Sequence, residues 1–161
     1  NMVDPTATGS VSLADLLVER QEQYGFALGI FLDDQGNVLA RTDEQEAVAE
    51  SLRDDAFLQP SIADVTSISG FWRQGEMLYQ AAITPVQRDE DLLGFLLLAN
   101  AVDQEFALKV GQVSGAHIAY LFPGAPAKVV SSSLTPEQAQ ELAAAITPES
   151  EAGKAIETAQ P

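Results

Sequence analysis

Trp72 and Arg73 are adjacent, beside a Gln74-Gly75 turn. An arginine on a pocket rim can grip a carboxylate with two parallel N–H bonds, and one charge-assisted bond of this kind contributes about 1.5–3 kcal/mol net. In a chain of formal charge −16, the few cations are also the local attraction for an anionic ligand. The alternative is a tryptophan packed on a sheet and an arginine paired with a surface acid. Tyr79 lies on a strand whose alternation puts it with Met77, Ala81 and Ile83 on one face, and Gln80 and Thr84 on the other. Its phenol either orients a polar ligand or belongs to the core with its hydroxyl at the edge. Asn100 and Asp103 stand where an apolar strand gives way to a helix. They face a cavity mouth, or Asp103 simply caps the helix. Trp72, Arg73, Tyr79, Asn100 and Asp103 form the candidate ligand-binding set.

The other reactive residues offer less. His117 is the sole histidine, either a pH sensor or ligand contact, or a half-exposed strand residue. Ser131-Ser132-Ser133 has no paired base nearby and reads as the lead-in to a helix. With no Cys there is no thiolate nucleophile, disulfide or thiolate metal site. The pairs Asp33-Asp34 and Asp54-Asp55 read as turn and helix-end chemistry. Asp33-Asp34-Gln35-Gly36 lacks the spaced ligands and terminal Glu of a calcium loop. No Gly-rich phosphate loop follows a strand. The sequence therefore predicts no enzyme, no metal and no cofactor. Eight basic against 24 acidic residues argue against nucleic-acid binding. They also argue against docking on anionic lipid. The acidic excess itself reads as solubility or salt tolerance.

These residues need a scaffold. The 161 residues, 46% of them apolar, suit one globular domain that buries about two-thirds of its unfolded surface. After a polar lead-in over 1–10, the spacing of Leu13, Leu16, Leu17 and Tyr24 predicts a helix over 11–24, with Ser12 as N-cap and Gly25 as its end. The apolar run Phe26–Leu32, the turn Asp33–Gly36 and the segment Asn37–Arg41 predict a hairpin. A helix over Asp43–Arg53 and a loop over 56–63 around Pro60 follow. Strands are expected over Asp64–Arg73, Glu76–Val86 and Leu92–Ala101, the last central and covered on both faces. A turn over Gln87–Asp91 joins the second of these to the third. A short helix over Asp103–Val113 comes next. Then come a strand His117–Phe122, a loop Pro123–Pro126, a strand Lys128–Ser133, and a helix capped by Thr135 and running to about Ile146. The 147–161 tail has little apolar content. The segments 27–42 and 117–132 resemble each other as strand, turn, strand before a helix, by repetition or by chance.

Three stretches carry a resemblance to a family: the hairpin Phe31–Thr42, the strand Leu78–Val86 ending in Pro85-Val86, and the Gly-bearing apolar strand Leu93–Asp103 that leads into a helix. Together they resemble the PAS-like extracytoplasmic sensor domains called Cache domains. Val129–Leu134 looks like the start of the second module of double-Cache sensors. The resemblance covers about residues 11–146. It implies an α+β fold: a central five-stranded antiparallel sheet with a long N-terminal helix on one face, loops and the short helix on the other, and a C-terminal hairpin and helix. It divides the chain into a lead-in (1–10), a sensor module (11–115), a hairpin plus helix (116–146) and a tail (147–161).

The same resemblance implies a periplasmic domain of an inner-membrane signalling protein. Such a domain binds a small molecule, here with a carboxylate as the expected class, and relays the change to a diguanylate cyclase, histidine kinase or chemoreceptor module. No apolar run approaches about 20 residues, so membrane segments would lie outside this stretch, which reads as an excised piece. The spaced Tyr-Arg-Trp-Tyr-Asp set of amino-acid-binding Cache sensors has no counterpart here beyond Phe71-Trp72-Arg73 and Tyr79. Homodimerisation stays open. Two other roles also remain: a roadblock- or profilin-like interaction scaffold, whose mark would be a cavity-free helix–sheet interface, and a ligand-free dimerising sensor module.

Overall fold

A computed structural model describes residues 5–44, 50–122, 127–147, 149–150 and 154, with side chains from Leu13 onward in the first helix. The order is α1 (Pro5–Tyr24), β1 (Leu28–Leu32), β2 (Val38–Arg41), α2 (Gln59–Asp64), β3 (Ile68–Gln74), β4 (Met77–Arg88), β5 (Asp91–Ala101), α3 (Gln104–Ser114), β6 (Ala119–Phe122), β7 (Lys128–Ser132) and α4 (Pro136–Ala145). Two compact units result. The first holds residues 1–72 and 79–101; the second holds 73–78 and 102–161. The expected sensor module ended at 115, whereas the first unit closes at Ala101 and α3 belongs with the C-terminal hairpin.

In the first unit five antiparallel strands run in the order β2-β1-β5-β4-β3. The most apolar strand, β5, is the central one, as expected: a strand flanked on both edges and packed on both faces has the least use for polar side chains. One face packs Ala14 and Leu17 of α1, with Leu13, against Ala40, Phe31 and Leu96. The other carries the main core, in which Trp72, Phe95, Ile30, Leu32, Leu58, Ile83 and Leu97 are all fully buried.

The local chemistry explains most boundaries. Gly25, at φ +72°, ends α1 with its N–H on the Gln21 carbonyl. In the β1–β2 turn the Asp33 carboxylate accepts from the Gln35 and Asn37 N–H groups at 2.8 and 2.9 Å and from Asn37 Nδ2 at 2.9 Å, while Gly36 supplies φ +85°. Burial pushes the Asp33 carboxyl up, but these bonds, that from the Asn37 side chain foremost, hold it below the usual range. A carboxyl lowered in the folded state stabilises above its unfolded pKa of about 3.9 and loses that contribution as pH falls through the folded value. We therefore expect the stability gap between the parent chain and Asp33→Ala to shrink steadily below about pH 4 in urea titrations. A gap unchanged down to pH 2 would mean the carboxylate charge is idle.

Four expectations need correction. Helix α1 begins at Pro5, so Ser12 lies within it and residues 5–10 are no lead-in. Proline suits a first helical turn because the N–H it lacks has no intrahelical partner there. Pro60 acts in the same way: Gln59–Asp64 is a helix, and the stretch read as a loop covers the core with it. The reverse holds for the helix expected over 43–53. Residues 45–49 lie outside the described residues, and the end of the segment is extended: Ser51 bridges Asn37, and Leu52 donates to the Gly36 carbonyl at 2.9 Å. The turn read over 87–91 is also shorter, with β4 reaching Arg88 and Asp89 at φ +57°.

The second unit contains a two-stranded sheet, β6-β7, with α3 and α4. Phe106 of α3 meets Tyr120 of β6 at 5.8 Å between ring centres. Thr135 caps α4 in a capping box with Gln138. The loop Pro123–Pro126 and most of the expected tail lie outside the described residues.

Candidate functional site

Strand alternation decides where the five candidate residues go. Trp72 points into the core and is 2% exposed. Its indole N–H donates to the Asp55 carboxylate at 3.1 Å, and its ring lies 6.0 Å from that of Tyr79, tilted by 40°. Tyr79 shares this inner face with Ala81 and Ile83, as its alternation required. Asn100 is exposed and pairs with Gln80, one residue out of phase with the Tyr79–Ala101 pair, so it occupies the opposite face. Trp72 and Tyr79 thus meet, and Asn100 does not join them.

Arg73 and Asp103 belong to the second unit. Arg73 is exposed; its Nε donates to the Gly75 carbonyl at 3.0 Å and its guanidinium lies 3.8 Å over the centre of the Phe122 ring. Asp103 is the N-cap of α3 and accepts from the Phe106 N–H at 2.8 Å. Asp103→Ala should cost about 1 kcal/mol, a fall of about 2–4 °C in thermal midpoint for a chain of this size. A neutral result in a melting curve would argue against the cap as its main role.

The remaining candidates fit structural roles. Ser132 Oγ accepts from the Leu134 N–H and Ser133 Oγ from the Ile118 N–H, both at 2.8 Å, which makes the serine run the lead-in to α4. Among the described residues Ser131 Oγ, which is buried, has no hydrogen-bond partner. His117 lines a shallow hollow of about 280 Å³ with Leu108, Gly111, Gln112 and Ser133. Asp55, read as helix-end chemistry, accepts from the Phe57 and Leu58 N–H groups at the entrance to α2 while holding Trp72.

A more polar cleft opens elsewhere in the first unit. Its volume is about 350 Å³, and its walls are Asp34 and Gln35 of the β1–β2 turn, Arg53 and Asp54 of the extended segment, and Gln59, Ile62 and Ala63 of α2. The three walls are tied together. Val38 N–H donates to the Glu50 carbonyl at 2.8 Å, Leu52 N–H to the Gly36 carbonyl at 2.9 Å, and a Cβ on Gly36 would lie 3.0 Å from Arg53 Cα and 3.1 Å from Ile62 Cδ1. This cleft was not foreseen from the sequence. Its charged residues read locally as turn and helix chemistry, and the pairing of residues 36–38 with 50–52 brings them together. Among the described residues there is no cluster of acids and imidazole able to hold a metal ion, and no helix long and apolar enough to cross a membrane.

No protein-family model matches the sequence, and no curated protein matches it. Solved structures do match the fold. The sensor domain of the Vibrio cholerae histidine kinase DctB superposes with a TM-score of 0.59 over 84% of this chain and 57% of that one, at 15% identity. A domain of a sensory box/GGDEF family protein from Vibrio parahaemolyticus gives a TM-score of 0.53 over 83% of this chain and 56% of that one, at 10% identity. The chain thus spans little more than half of either neighbour. The α+β fold implied by the Cache resemblance is the fold of this chain, and the chain shares it with these two domains.

Proposed function

We propose that this chain is an extracytoplasmic sensory domain of a membrane-anchored signalling protein. In this reading it does no chemistry. It binds a small molecule bearing an acid group and shifts a two-state equilibrium that an output module reads, such as a histidine kinase, a diguanylate cyclase or a chemoreceptor. The observation that supports the reading is the fold likeness, over more than four-fifths of the chain, to the DctB sensor domain and to a domain of a sensory box/GGDEF family protein. A thermal-shift screen against carboxylates, amino acids, amines, purines and sugars tests it. A ligand at about 100 times its Kd adds about 2.7 kcal/mol, which raises the midpoint by about 5–11 °C at this size. One chemical class of hits supports the reading, and a flat screen at millimolar ligand overturns its ligand-binding part.

A second reading has a specific observation in its favour. The inner face of the sheet is filled by Trp72, Phe95, Ile30, Leu97 and Ile83, all fully buried. A face so packed suits a ligand-free role, as a dimerising sensor module or an interaction scaffold. That role predicts a flat screen together with self-association in sedimentation velocity, or a stable protein complex.

A further inference from the structure

We infer that the cleft between the β1–β2 turn, the Arg53-Asp54 segment and α2 is a binding site for a small zwitterion, whose carboxylate faces Arg53 and whose ammonium faces Asp34 and Asp54. The inference deepens the sensory reading and rests on it for its biological purpose.

The first observation is charge left uncommitted. Arg41 holds Asp43 and Glu50, Lys109 holds Glu105, and Lys128 holds Glu76. Among the described residues the Arg53 guanidinium and the Asp54 carboxylate make no hydrogen bond or ion pair, and Asp34 takes only a 3.3 Å bond from the Gln35 amide. In a chain with three acids for each base, an arginine that lines one cleft with two carboxylates and is bonded to neither leaves its N–H groups available to a ligand.

The second observation is shape. A volume of about 350 Å³ stands at the small end of metabolite sites. The apolar part of the lining is Ile62 and Ala63, and the amides of Gln35 and Gln59 can each donate and accept. One cation and two anions sum to −1 in the cleft. A bare carboxylate meets net repulsion there, and a bare amine leaves Arg53 unanswered. A molecule with both groups answers all three charges, and its short carbon chain rests on Ile62 and Ala63.

The site is also built into the fold. Gly36 packs against both Arg53 and Ile62, so a side chain there would push the walls apart. Movement of the turn on binding would therefore pass into β1 and β2, which flank it.

Isothermal titration of the intact chain tests this with three matched series: ω-amino acids of two to six carbons, the amines of the same length, and the carboxylates of the same length. Binding is expected for a zwitterion of one length, with the matching amine and carboxylate each at least tenfold weaker. Arg53→Gln and Asp54→Asn should each weaken the zwitterion about tenfold to a hundredfold, the loss of one charge-assisted partner. Both side chains are exposed, so the melting midpoint of the free protein should move by no more than about 2 °C. Arg73→Gln serves as the control and should leave affinity unchanged. If a ligand binds and the Arg53 and Asp54 variants retain its affinity, the cleft is the wrong site and the sensory reading survives. If no small molecule binds in the titrations or the screen, both fail.

Discussion

Gly94→Ala is expected to lower stability by about 3–5 kcal/mol, a fall of about 6–20 °C in thermal midpoint. Gly94 sits in the central strand at φ +146°, a backbone conformation that side chains avoid, and a Cβ there would lie 2.1 Å from the carbonyl oxygen of Leu32 on β1. No rotamer relieves a clash of a Cβ with backbone, so β1 and β5 would have to separate in the middle of the sheet. Gly75→Ala is the comparison. It also carries a positive φ, +58°, but nothing lies within 4 Å of its added Cβ. It should cost only about 1–2 kcal/mol, the intrinsic penalty of a left-handed residue. Equal costs in chemical denaturation would show that the close approach to Leu32 is not what fixes glycine at 94.

Trp72→Ala should cost a similar amount, about 3–5 kcal/mol, because it removes the largest side chain from a closed apolar core. Trp72→Phe keeps most of the volume and loses the bond from the indole N–H to Asp55; it should cost about 1–2 kcal/mol. Net stabilities of domains are about 5–15 kcal/mol, so the alanine variant should be visibly less folded at 37 °C. The result also bears on function. A Trp lining an open ligand site would tolerate truncation far better, and its loss would weaken binding more than folding. A Trp72→Ala variant within about 1 kcal/mol of the parent, with ligand affinity lost, would put the site back on the inner face.

These two positions also show how far residue order carries. The strands were readable because apolar runs and turn residues alternate sharply: Asp33–Gly36 and Gln74-Gly75 mark their turns, and the run around Phe95–Leu98 marks the central strand. Helix edges were less so. Pro5 and Pro60 read as breaks because a proline ends helices when it stands inside them, and only its position in the first turn reverses that meaning. The five candidate residues are dispersed for a different reason. Trp72 and Arg73 are neighbours in sequence, which makes them neighbours on opposite sides of a strand. Tyr79 and Asn100 parted company through the β4–β5 register, which no local pattern states. The cleft joins residues 34–35, 53–54 and 59–63 through the bridge between Asn37 and Ser51, and no periodicity announces such a contact.

In the proposed function a small molecule acts on this fold at the cleft of Asp34, Arg53 and Asp54 rather than on the filled inner face. Backbone amide chemical-shift mapping of the labelled chain, with the strongest ligand from the thermal-shift screen, tests it most directly. The largest shifts are expected at Asp34–Gly36, Arg53, Asp54 and Gln59–Ala63, with smaller ones along β1 and β2. Shifts concentrated at Trp72, Tyr79, Ile83 and Phe95, or none at saturating ligand, would contradict it.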